Sequence, residues 1–119
     1  MKVDPKRGEI WQANLDPTIG GEIQKPRPVV VINSDLFTTH DVRIIIPITE
    51  WQERYSQHLF MVKIPKSRSN GLDKDSIGNT LQIRSISILR FEYRRGIIEE
   101  NILKNLLSAL TIAVDYFCE

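Results

Sequence analysis

The chain reads as a mainly β protein, with several short strands forming a small, strongly bent sheet or partial barrel capped by one C-terminal α-helix. Three observations predict this. Short β-branched runs recur between Glu9 and Leu89, separated by Pro, Gly and Asn-Gly turn signals. Only the final segment, from Ile102 onward, repeats its apolar residues at helical spacing. A length of 119 residues suits one domain spanning 1–119, since two would each be too small to bury a sufficient core.

The first strand is expected over Glu9–Leu15, with Ile10 and Gln12 facing opposite to Trp11 and Ala13. Asp16-Pro17 then opens a loop through Gly20-Gly21. Arg27–Asn33 is the second strand, and its run Val29-Val30-Val31-Ile32 suits a strand covered on both faces. Val42–Thr49 is the third, with Ile44, Ile46 and Ile48 on the apolar face and Arg43, Ile45 and Thr49 opposite. Pro47 cannot donate a ladder hydrogen bond, so an edge or bulge is expected there. Leu59–Ile64 is a fourth strand, ended by Pro65 and followed by a polar loop containing Asn70-Gly71.

Ile77–Leu89 is long and β-branched but changes parity, since Leu81 and Ile83 are odd while Ile86 and Ile88 are even. A bend, bulge or turn near Ser85 would reconcile the halves. The helix is carried by Ile102, Leu103, Leu106, Leu107, Leu110, Ala113, Val114 and Phe117. Glu99 and Glu100 stand where a helix N-terminus favours negative charge. Leu103, Leu107 and Val114 either pack on the sheet or face a second subunit.

The apolar fraction of 41% and charged fraction of 26% are ordinary for a soluble globular chain. No apolar run approaches the roughly 18 residues of a membrane span, and Met1–Arg7 lacks the apolar core of a signal peptide. A cytoplasmic location is therefore expected. The single cysteine, Cys118, excludes an internal disulfide and a cysteine-based zinc cluster, and is expected to be half-buried on the terminal helix. The net charge of +1 conceals a division. Residues 1–98 hold fifteen Lys or Arg against eleven Asp or Glu, and residues 99–119 hold one Lys against four acids. Such a basic body permits nucleic acid as a partner without requiring it.

Gln24-Lys25-Pro26-Arg27-Pro28 is the most informative segment. Pro28 biases Arg27 towards extended backbone angles, so the guanidinium loses little entropy when its planar fork meets a phosphate. The alternative is a surface arginine that merely precedes a strand. Thr49 ends the third strand and is either a site hydroxyl or an ordinary strand threonine. Gln82 and Arg84, two apart, share a strand face from which they would read base edges or hold phosphates, or simply be solvated. His40 and His58 lack a paired carboxylate and read as surface histidines, and Asp73 and Asp75 as a polar turn. Trp11 and Trp51 would stack on bases or pack in a core or interface. No phosphate-cradling glycine loop, zinc spacing or nucleophile elbow is present.

In order along the chain, Arg7-Gly8-Glu9-Ile10-Trp11, Leu15-Asp16-Pro17, Arg27-Pro28-Val29-Val30-Val31-Ile32, Pro47-Ile48-Thr49, Leu72-Asp73-Lys74-Asp75-Ser76 and Leu81-Gln82-Ile83-Arg84-Ser85-Ile86 resemble the MazF/PemK (Kid) family of toxin endoribonucleases. The similarity runs from about Lys6 to Val114. The resemblance implies an SH3-like barrel with a C-terminal helix, a homodimer, and metal-independent cleavage of single-stranded RNA with no cofactor. It also implies a cognate antitoxin whose flexible segment covers the RNA groove. By the same resemblance Arg27 and Thr49 are the catalytic pair, while Gln82, Arg84, Glu22, Gln24 and Lys25 bind RNA. Two positions depart from the PemK-like pattern: Gly21 and Leu81 stand where some members carry a histidine and an aspartate, and neither moves a proton. Gln24-Lys25 replaces a Gly-Gly frequent in the MazF-like loop.

The rival reading is a non-enzymatic, gyrase-binding toxin of the CcdB type on the same fold. That type depends on an apolar tip ending Trp-Gly-Ile, whereas this chain reads Asp115-Tyr116-Phe117-Cys118-Glu119. A plain SH3-like binding module is a third reading.

Overall fold

A computed structural model describes residues 3–116. Seven antiparallel strands form one bent sheet: β1 (Glu9–Asn14), β2 (Pro26–Val31), β3 (Val42–Glu50), β4 (Met61–Ile64), β5 (Ser76–Asn79), β6 (Arg84–Ser87) and β7 (Phe91–Ile97). The order across the sheet is β4-β5-β3-β2-β1-β7, with β6 also paired to β3. A single α-helix, α1 (Glu100–Ala113), closes the described chain and packs on β4 and the turn after β5. Among the described residues no helix is long and apolar enough to cross a membrane.

The bend of the sheet creates two apolar clusters. Ile10, Val30, Ile46, Ile48, Ile64 and Leu106 belong to the one covered by α1, while Ala13, Leu15, Val29, Val31, Ile45 and Phe91 form the other. Alternation along β2 therefore sends Val30 into the first and its neighbours into the second, which is why an unbroken valine run is needed there.

β3 departs from its expected outline in two respects. Ile44 is exposed at the strand's start, whereas Arg43 is wholly buried. Its guanidinium donates to the carbonyls of Pro5, Thr38, His40 and Val42 and to Asp4 Oδ1, so the buried charge is fully bonded and ties the N-terminal segment down. Pro47 produces neither an edge nor a bulge in its pairing with β2. Ile32 N–H donates to Ile44 C=O, so by alternation position 47 would direct its amide away from β2. On that far side β3 changes partner, from β6 at Val42–Ile45 to β5 at Ile48–Glu50, so proline removes no ladder bond.

The expected Ile77–Leu89 strand is two strands, and the break falls before Ser85. Asn79 Oδ1 accepts from Leu81 N–H at 3.1 Å and starts a one-turn 3-10 helix over Thr80–Gln82. β7 carries only one paired edge, which explains the exposed polar run Glu92-Tyr93-Arg94 within a strand. Leu103 and Leu107 are half-buried against the first cluster, whereas Val114 lies just past the helix and is exposed. Phe117 and Cys118 lie outside the described residues.

Candidate active site

Arg27 is the second residue of β2, set by a sharp reversal in the loop before it. Lys25 adopts a positive φ of 72° there. Its N–H donates to Asp16 Oδ1 at 3.1 Å and its carbonyl accepts from Leu15 N–H at 3.3 Å. Arg27 Nε donates to Gln24 C=O at 3.2 Å, which braces the side chain. The β2–β3 ladder ends where Val29 pairs with Pro47; Arg27 lies two residues before that pair on β2 and Thr49 two residues after it on β3.

Arg27 and Thr49 line the same two adjoining clefts. The smaller, of about 210 Å³, is completed by Gln12, Glu50, Asp73, Lys74 and Arg95. Its charges are mostly paired: Arg95 contacts Asp73 Oδ2 at 3.0 Å and Gln12 Oε1 at 3.0 Å, and Lys74 lies 3.6 Å from Glu50. The larger, of about 410 Å³, is walled by Gly21, Ile23, Gln52, Tyr55, Asn79 and Gln82. Arg27 has no carboxylate within ion-pair distance among the described residues, so its charge is available to an anion. A half-buried, uncommitted guanidinium beside a hydroxyl is an arrangement for holding a phosphate with charge-assisted hydrogen bonds.

Gln82 stands in the larger cleft but its amide is already engaged. Oε1 accepts from Ile23 N–H and Nε2 donates to Gly21 C=O, both at 3.1 Å, clamping the β1–β2 loop from about sixty residues away in sequence. Arg84 lines neither cleft; its Nη1 donates to Leu15 C=O at 3.3 Å, at the base of the same loop. The two share no strand face, because Gln82 lies in the 3-10 turn and Arg84 begins β6. Glu22 Oε1 accepts from Ile19 N–H at 2.7 Å within the loop, and Glu22, Gln24 and Lys25 are exposed there without lining either cleft. Gly21 lines the larger cleft, and Leu81 is exposed.

Asp75 Oδ1 accepts from Lys66 N–H and Asp73 holds Arg95, so both aspartates serve the turn before β5. His40 and His58 are exposed. Sequence reasoning passed over Gln12, Glu50, Tyr55, Asn79 and Arg95 as cleft residues, and only Tyr55 carried a signal, as part of an aromatic-rich stretch with interleaved cations.

Residues 6–114 match the sequence model of the PemK-like, MazF-like toxins of type II toxin–antitoxin systems. The chain is 31% identical over 116 residues to endoribonuclease MazF9 of Mycobacterium tuberculosis, covering 92% of this chain and 96% of that one. Its fold is similar to the crystal structure of MazF (form I) from Deinococcus radiodurans, with a TM-score of 0.81 at 16% identity, covering 96% of this chain and 99% of that one. An endoribonuclease in complex with its cognate antitoxin, from a mycobacterial species, gives a TM-score of 0.76 at 14% identity, covering 97% and 99%. In sequence and in fold alike, this chain belongs to the PemK-like, MazF-like toxin family of type II toxin–antitoxin systems.

Proposed function

We propose that this chain is the toxin of a toxin–antitoxin pair, an endoribonuclease that cuts single-stranded RNA at specific sequences in the cytoplasm, without a metal ion. Arg27 and Thr49 perform the chemistry. The observation that supports the assignment is that both line the same two adjoining clefts, where Arg27 has no carboxylate within ion-pair distance among the described residues.

The 2′-oxygen attacks the neighbouring phosphorus, the P–O5′ bond breaks, and a 2′,3′-cyclic phosphate remains. The nucleophile is tethered within the substrate, so holding it in line with the leaving oxygen supplies much of the acceleration. Negative charge grows on the phosphoryl oxygens, where the Arg27 guanidinium and the Thr49 hydroxyl donate hydrogen bonds. An arginine stays protonated at neutral pH, so its part is electrostatic; the 2′-hydroxyl proton passes to water, and water protonates the departing 5′-oxygen.

The working form is a homodimer, and a cognate antitoxin covers the RNA groove, in line with the antitoxin complex of the mycobacterial neighbour. The gyrase-binding alternative gains no support, since the curated relative is an endoribonuclease. Incubation with a long single-stranded RNA, followed by mapping of the new 5′ ends, tests the activity and gives the recognised sequence. Arg27→Ala is expected to keep its fold and cleave at least about a hundredfold slower. Turnover near that of the wild type would remove Arg27 from the chemistry. Cleavage should persist in EDTA and stop when the scissile nucleotide is 2′-deoxy.

A further inference from the structure

The connection between β3 and β4 holds four rings in ten residues, Trp51, Tyr55, His58 and Phe60. They form a row, with centroids 6.5 Å apart from Trp51 to Tyr55, 6.4 Å to His58 and 5.2 Å to Phe60. Two cations sit on it: Lys63 Nζ lies 4.9 Å from the Trp51 centroid, and the Arg54 guanidinium carbon 5.2 Å from that of Tyr55.

None of the four rings belongs to either apolar cluster among the described residues, and Trp51, Tyr55 and Phe60 are half-buried while His58 is exposed. Backbone bonds from Tyr55 to Gln52, His58 to Tyr55 and Met61 to His58 set the turns of the connection. Of the four rings only Tyr55 lines the larger cleft, together with Arg27 and Thr49, with Trp51 and His58 as its neighbours in the row.

We propose that Tyr55 and His58 are a stacking subsite for bases of single-stranded RNA, Tyr55 taking the base next to the phosphate held by Arg27. The subsite rests on the endoribonuclease reading above. Every base has a π-face, so such a row guides the strand whatever its sequence, and stacking on an aromatic ring strengthens binding about 5- to 150-fold per base. The surface cation–π contact displaced from Tyr55 is worth only about 2- to 5-fold, so exchange favours the base. The released Arg54 remains beside the strand, where its charge meets a phosphate.

The test measures affinity for a short RNA containing the mapped cleavage site, made uncleavable by a 2′-deoxy scissile nucleotide. Tyr55→Leu should bind at least about fivefold more weakly, and Tyr55→Phe within about twofold of wild type. The Tyr55→Leu loss should vanish on an RNA with a single abasic site at one position beside the scissile nucleotide. His58→Ala, at an exposed position, should show its loss at the next position out. Losses that are equal on intact RNA and on every abasic RNA would overturn the subsite, as would wild-type affinity in Tyr55→Leu. If the wild type neither binds nor cleaves RNA, the nuclease reading falls and the subsite with it. Wild-type cleavage beside undiminished binding by Tyr55→Leu removes the subsite alone.

Discussion

Gln82 holds the β1–β2 loop over the larger cleft, and removing its amide should loosen one part of that loop only. Gln82→Ala deletes the bonds to Ile23 N–H and Gly21 C=O, both neutral and both 3.1 Å long. At about 1 kcal/mol each, their loss weakens local closure by about 2 kcal/mol, roughly a thirtyfold rise in the open population. The base of the loop keeps its own ties, Leu15 N–H to Lys25 C=O and Lys25 N–H to Asp16 Oδ1. Ile23 also keeps its packing on the second apolar cluster, so the magnitude stays near that of the lost bonds. Amide hydrogen exchange resolves the two regions. The Ile23 amide should exchange about thirtyfold faster, while the Leu15 and Lys25 amides change by less than about threefold. An Ile23 amide exchanging at the wild-type rate would refute the clamp and leave the Gln82 amide free to read RNA.

Three further outcomes follow from the geometry. Arg43→Met should cost about 3–5 kcal/mol in urea unfolding, because it strips partners from four backbone carbonyls and Asp4; Arg43→Lys should recover part of the loss. Burial pushes the Glu99 carboxyl up, but hydrogen bonds from Ser67, its own backbone N–H, Asn70 and Ser69 outweigh this and hold it below its ordinary 4.5. Its carboxylate therefore adds stability above that ordinary value, lost as pH falls through the lower folded one, so the stability gap between wild type and Glu99→Gln should close on acidification below about pH 4.5 in unfolding titrations. Gly71 has a φ of +68°, and a Cβ there would collide with the Arg95 carbonyl. Gly71→Ala should cost more than about 2 kcal/mol by thermal unfolding and displace Arg95 from the smaller cleft.

What could be read from the residues was whatever local pattern decides. The valine run of β2, the helical stripe of α1 and the proline-braced Arg27 each carry their reason within a few neighbours. Thr49 reads locally as an ordinary strand threonine, and only the family order of motifs singles it out. The parts that local pattern leaves undecided depend on distant partners. Gln82 and Arg84 look like free polar residues until the loop at Leu15–Ile23 is folded against them. Arg43 looks like an interruption in an apolar run, and becomes a buried anchor only when the segment around Asp4 and Pro5 closes over it. β7 escaped notice because an edge strand with one partner tolerates a polar sequence that resembles a loop.

At Pro47 one strand serves two neighbours in succession, with no amide hydrogen to bind either at the changeover. β6 therefore has no continuous ladder to Thr49, which pairs with Ile77 of β5. Arg27 and Thr49 flank the buried residues Val29, Val30, Val31, Ile45, Ile46 and Ile48. The proline acts as a seam between the two ladders of β3.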